Sequence, residues 1–191
     1  MNENLTRGYT ILGTMAYVDK NYDEGKRNRF LSTLSPVVRD TIGGYKPVEW
    51  YDRIHFVELL RGIASLQATE QNAYKELVRC GQSVAELATN TFLKLFMKIL
   101  TPTLFAKKIP DIWLRDNKSG RFTADLSRVD QNILRMHLMD VAGYDHVGPV
   151  AVGWITFAMG RMGKQGLDCR LSGWSLATPG PKDLYFDITW Q

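Results

Sequence analysis

The stretch "HVGPVAVGWITFAMGRMG", residues 146–163, decides how this chain folds. It is the least polar run of the sequence, with one arginine near its end, four glycines and a proline close to its start. Three readings compete: a membrane span, a core helix and a ligand cradle. Its uncharged part, residues 147–160, falls short of the ~20 residues that a spanning helix needs. Val147, Val150, Ala151, Trp154, Ile155, Ala158, Met159 and Met162 recur at steps of three and one, which traces a single helical face. The other faces carry Gly148, Gly153, Thr156, Phe157 and Gly160, mostly small, so a second element can approach closely. Pro149 suits the first turn, where no amide donor is lost. A phosphate cradle needs its glycines between a strand and a helix N-terminus, whereas these lie within and after the helix. The stretch therefore reads as a helix buried on more than one side.

The segments around it have a different rhythm. "LDCRLSGWSL" and "DLYFDITW" read as a hairpin around "ATPGPK", with Leu184, Phe186, Ile188 and Trp190 inward and Gly173 marking a bulge. "NILRMHLM" alternates Leu134, Met136 and Leu138 against Arg135 and His137. "DIWLRDNKSGRFTADL" reads as two strands about a turn at residues 117–120.

The first hundred residues or so are helical in pattern. Leu5, Tyr9, Leu12, Met15 and Ala16 fall at helical spacing over residues 5–20, and two short helices follow, separated at Pro36. After the punctuation "GGYKPVEW", Asp52 caps a helix with a broad apolar face from Ile54 to Ala64. Thr69 opens the next helix. A long one then places Val84, Ala85, Ala88, Phe92, Leu95, Phe96 and Ile99 on one side, and Thr101 with Pro102 starts a short helix over 102–108. Near Pro110 the spacing changes from three or four residues to two.

These elements predict an α+β fold in a single domain, residues 1–191. An N-terminal helical half of about six helices, residues 1–109, packs on a C-terminal, mainly antiparallel sheet of four to five strands, residues 110–191, with one helix over 147–162 inserted.

Composition excludes several functions. The hydrophobic fraction of 45% and charged fraction of 23% are ordinary for a soluble domain. A net charge of +4, from 24 basic and 20 acidic residues, is too mild for a dedicated nucleic-acid binder. No basic leader with an apolar run opens the sequence, and Cys80 and Cys169 form no CxxC pair, so a cytoplasmic protein with free thiols and no membrane span is expected.

His55, His137 and His146 form no HxH or HxxxH arrangement, so no metal is expected. GxSxG is absent. Cys80 stands beside Arg79, which could favour thiolate, but cysteine is more often inert core packing. Glu58, Glu76 and Glu86 read as solvated helix positions. No acid, base or nucleophile set converges, and no enzyme is expected. Lys94, Lys98, Lys107 and Lys108 share one side of the 91–108 region, a solvated face or a contact for an acidic partner.

Four motifs in order carry a resemblance over nearly the whole chain: "WYDRIHFVELLRGI", "TFLKLFMKILTPTLF", "VGPVAVGWITFAMGRMG" and "YFDITW". The chain resembles the superfamily that joins haem nitric oxide/oxygen-binding (H-NOX) domains, TRAPP vesicle-tethering subunits and bacterial 4-vinyl reductase-type domains, and within it a much-duplicated myxobacterial group. The haem branch places a histidine just before the first sheet strands, where "AKKIPDIWL" has none, and a Tyr-x-Ser-x-Arg run where this chain reads "RMHLMDVAGY". Haem is therefore disfavoured and no cofactor is expected. The vinyl-reductase branch often clusters cysteines near its end, where this chain has Leu184 and only Cys169 nearby. In TRAPP subunits a cysteine ahead of the Thr-Pro helix can bear an acyl chain, and Cys80 falls at about that place.

What the resemblance implies is a non-enzymatic bacterial signalling or scaffolding domain that acts through protein contacts, homodimeric through its helices. The alternative is a sensor for a small apolar ligand or lipid held between helices and sheet, with Cys80, Phe92, Trp113 and Trp154 as candidate pocket residues.

Overall fold

A computed structural model describes residues 4–88, 100–177 and 180–191. In chain order the elements are β1 (Leu5–Arg7), α1 (Gly8–Asn21), α2 (Glu24–Ser32), α3 (Pro36–Thr41), β2 (Trp50–Asp52), α4 (Arg53–Ser65), α5 (Glu70–Ala88), α6 (Pro102–Asp116), β3 (Arg121–Asp125), β4 (Ile133–Met139), α7 (Val147–Arg161), β5 (Asp168–Ser172) and β6 (Leu184–Thr189).

Caps set several of the helix starts. The Asp52 carboxylate accepts from the Ile54 N–H at 2.9 Å, and the Thr101 hydroxyl from the Leu104 N–H at 3.2 Å with Pro102 in the first turn. Asp23 and Ser35 do the same for α2 and α3. Each satisfies an amide that the helix itself leaves open.

The sheet runs β3-β4-β6-β5, antiparallel throughout. Its inner face is Leu134, Met136, Leu138, Leu184, Phe186 and Ile188, all buried, while Arg135 and Asp187 pair at 2.9 Å on the outer face. The helices lie mostly N-terminal to this sheet and pack on it, so the expected α+β architecture is the observed one.

The apolar stretch forms α7, and its glycines permit close approach. A β-carbon on Gly153 would collide with the Val78 carbonyl of α5 and stand 2.8 Å from the Gln82 nitrogen. One on Gly81 would collide with the Val150 carbonyl of α7. The other side of α5 meets α1 at Gly13, whose β-carbon would stand 3.0 Å from the Val84 Cα. Gly148, at the start of α7, faces the Leu171 and Leu184 side chains of β5 and β6. The backbone of α5 is thus pressed between α1 and α7, and α7 joins that stack to the sheet.

Two expectations are corrected. Pro110 does not end the helix: α6 runs from Pro102 to Asp116, and one strand, not two, follows it. An interior proline removes one hydrogen bond, but Phe105, Ala106, Ile109, Ile112 and Trp113 continue one apolar stripe across it. The helix stops where Asn117 turns extended, its N–H still donating to the Trp113 carbonyl at 2.8 Å. Residues 5–7 are strand rather than helix, pairing antiparallel with Trp50–Asp52. Gly173 follows β5 with φ +89, and a β-carbon there would stand 2.9 Å from the Asp183 carbonyl. Phe92, Leu95, Phe96 and Ile99, expected on a long helix, lie outside the described residues, as do Lys94 and Lys98. Among the described residues no helix is long and apolar enough to cross a membrane.

Candidate functional site

Where the helical half meets the sheet, a cavity of about 80 Å³ remains. One face of α7 supplies Val147, Val150, Ala151, Trp154 and Ile155, the i, i+3, i+4, i+7, i+8 set of a single stripe. The facing stripe of α6 supplies Ile109, Ile112, Trp113 and Asp116, and Phe56, Val84 and Phe122 close the apolar wall.

A polar corner, Tyr9, Thr10, Asn117 and Tyr144, completes it. The Tyr144 hydroxyl donates to Asn117 Oδ1 at 2.9 Å, the Thr6 hydroxyl donates to the same oxygen at 3.3 Å, and the Asn117 amide donates to the Trp113 carbonyl at 3.3 Å. Asp116 is forked by Arg115, Nε to Oδ1 at 2.6 Å and Nη2 to Oδ2 at 2.8 Å. Burial raises the Tyr144 phenol, and burial with the nearby Asp116 raises that of Tyr9, so both stay protonated at neutral pH.

Of the sequence-derived candidates, Trp113 and Trp154 stand on this wall. Trp113 donates its indole N–H to the Ser119 carbonyl at 2.9 Å and meets Phe122 and Tyr144 edge-on, while Trp154 stacks on Phe105 at 6.0 Å between centroids. Cys80 is fully buried elsewhere in the core, its Sγ 3.8 Å from the Thr14 hydroxyl. Burial pushes its thiol up to about 12, so it is not a nucleophile at neutral pH. Arg79 pairs instead with Glu76 at 3.6 Å. Phe92 lies outside the described residues. Tyr9, Asn117 and Tyr144 went unread in the sequence. They are more than a hundred positions apart at the extremes, and no local pattern announces their meeting.

His146, at the N-terminus of α7, is buried with φ 63, and its Nδ1 has no hydrogen-bond partner. Burial lowers its basicity from the usual 6.5; Arg61 acts in the same direction and Asp145 against it. A buried neutral imidazole binds fewer protons than the unfolded chain, so its contribution is complete above about 6.5 and is lost as pH falls below that. In urea titrations, His146→Asn, which suits the left-handed backbone, should lose less stability than the parent chain between pH 7.5 and 5. Equal losses would remove His146 from the acid response.

No known protein-family profile matches this chain, and no curated protein does. Solved structures do. The Fe(II) unliganded H-NOX protein from K. algicida is 11% identical with a TM-score of 0.72, over 97% of this chain and 96% of that one. The H-NOX protein from S. oneidensis in the Fe(II)NO ligation state is 14% identical at 0.68, over 97% and 99%. A point mutant of the T. tengcongensis H-NOX is 12% identical at 0.61, over 100% and 98%.

The expectation that no cofactor belongs here, haem least of all, is overturned by these likenesses: the similar structures are H-NOX proteins, titled in Fe(II) and Fe(II)NO states. The walls of this cavity are a separate matter. Among the described residues they carry no imidazole, thiol or thioether, and the oxygens of Tyr9, Asp116 and Tyr144 are their metal-ligating atoms. The space is also well below the roughly 300–1,000 Å³ of a cofactor-sized pocket. As shaped, these residues do not fit haem. At 11–14% identity the likeness establishes architecture: this chain has the H-NOX fold.

Proposed function

We propose that this chain is a bacterial signalling domain that senses a small ligand lodged against Trp113 and Trp154. One observation carries the reading: a mainly apolar hollow whose wall is shared between the helices and strand β3, so that filling it alters how the two halves pack. An apolar cavity of about 150 Å³ stays dry and takes up benzene or xenon; this one is smaller, and suits a ligand of a few atoms.

Xenon is the direct probe of the space. Saturable xenon uptake is expected in the full chain by xenon NMR, with loss of uptake in Ala151→Leu, whose side chain fills the hollow. A parent chain that takes up none sinks the reading. Absorption spectra of protein grown with haem precursor test that misfit separately, a Soret band showing that the walls open to take the group. Native mass spectrometry of the same sample reports retained ligand and oligomeric state together. The resemblance to the TRAPP subunits predicts a dimer, and Val37 and Ile54, exposed on α3 and α4, are apolar side chains it would cover.

A further inference from the structure

Trp50, on the two-stranded β1-β2 ribbon, lies under two cations. The Arg7 guanidinium carbon is 3.9 Å from its ring centroid and the Lys118 Nζ 4.6 Å. Arg7 is held in place by donating from Nε to the Arg115 carbonyl at 3.2 Å. Next to Lys118, Arg53 donates to the Ser119 hydroxyl at 3.0 Å and to the Ala142 carbonyl at 3.4 Å, with its guanidinium over the Tyr144 ring. The carboxylates nearby are already engaged: Glu49 with Lys46, Asp116 with Arg115, Asp145 with Arg61, and Asp52 as the cap of α4. Among the described residues no carboxylate pairs with Arg7, Arg53 or Lys118. Val48, 76% exposed, stands two positions from Trp50, and its carbonyl accepts from Arg7 Nη1.

We propose that this surface, Arg7, Lys118 and Arg53 around Trp50 with Val48 beside them, docks an acidic segment of a partner protein. Its cations are positioned by backbone carbonyls and aromatic rings and, among the described residues, none is in an ion pair; Asp52 and Asp145 act on Arg53 only at longer range, so an incoming carboxylate meets charge without first breaking a pair. The exposed Val48 side chain favours a protein segment that carries both carboxylates and an aliphatic residue. A nucleic acid would need a free aromatic face for stacking, and here cations already lie over the ring. An anionic membrane is read by clusters of about 4–8 Lys/Arg, more than this patch offers.

The site deepens the signalling reading, on which it rests for its biological sense, by naming the partner's chemistry. Arg53 and Ser119 touch Tyr144 and Trp113, two residues of the cavity wall, so the docking surface and the hollow share side chains.

The test uses the full chain labelled with ¹⁵N and a short peptide of Glu and Leu. A saturable, salt-sensitive shift of the Trp50 indole N–H is expected, assigned by its absence in Trp50→Phe. Exposed charge pairs are worth up to ~1 kcal/mol each, so Arg7→Gln with Lys118→Gln should weaken binding about tenfold, while Arg170→Gln with Lys75→Gln, on other faces, should not. No saturable shift, equal weakening by both double variants, or tighter binding of anionic vesicles or poly-uridine with the same shift would each overturn the proposal. Xenon uptake separates this result from the cavity reading. Retained uptake in the Arg7, Lys118 variant confines a lost peptide to the patch, whereas a parent chain that binds peptide but no xenon defeats the cavity alone.

Discussion

Gly153→Ala is expected to destabilise the protein by about 3 kcal/mol, the upper end of what one extra core methyl usually costs, and so to lower Tm by roughly 6–12 °C for a chain of this size. The reason is geometric. The new methyl would occupy the place of the Val78 carbonyl and come within 3.0 Å of the Gly81 Cα, so it meets backbone that no rotamer change can move. Helices α5 and α7 must separate, and the stripe of α7 that lines the cavity moves with them. Gly160→Ala, seven residues further along the same helix, is the internal control. A β-carbon there meets nothing within 4 Å, and the residue is exposed. Relieved of glycine's backbone entropy, that variant should be neutral or up to ~1 kcal/mol more stable. Thermal and urea unfolding of the two proteins decides the matter. If Gly153→Ala proves as stable as Gly160→Ala, the close crossing of α5 and α7 is not what holds the helical layers.

That crossing was legible in the sequence because both of its signals are local. An apolar stripe at helical spacing identified α7, and glycines on its other faces announced a neighbour's approach. Strands β4 and β6 were legible for a parallel reason: one buried face imposes a two-residue period on Leu134, Met136 and Leu138 and on Leu184, Phe186 and Ile188. The end of α6 was not. "DIWL" is too short an apolar run to distinguish strand from helix, and Pro110 tipped the reading toward a break that the stripe through Ile109, Ile112 and Trp113 overrides. Strands β1 and β2 have three residues each, below any periodic signal. In the cavity the two tryptophans were named only through the family resemblance, which places a ligand between helices and sheet, whereas Asn117 read as a turn residue. The cofactor expectation rested on missing ligand motifs, and motifs report ligands rather than hollows; the hollow is a matter of how α6, α7 and β3 pack, which no motif carries.

The second large effect is expected at Arg61. Its Nε donates to Asp145 Oδ2 at 2.7 Å, Nη2 approaches the same oxygen, and the other carboxylate oxygen accepts from the Gly180 N–H. Three separate segments thereby meet at one fully buried carboxylate: α4, the β4-α7 connection and the β5-β6 connection. The middle one is sharply bent, with Asp140, Gly143 and His146 all at positive φ, a conformation that the surroundings must hold in a non-glycine residue. Arg61→Met leaves the carboxylate buried without its counter-charge, a loss of roughly 3–5 kcal/mol. Asp145→Asn should be milder, about 1–3 kcal/mol, because the amide oxygen can still accept from Gly180 and Arg61, 41% exposed on its side chain, can turn to water. The double variant should recover part of the Arg61→Met loss, since no unpaired charge remains inside. Urea titrations of the four proteins form the cycle. Losses that simply add would mean that Arg61 and Asp145 act apart, and that the bend before α7, with Tyr144 on the cavity wall, is held by something else.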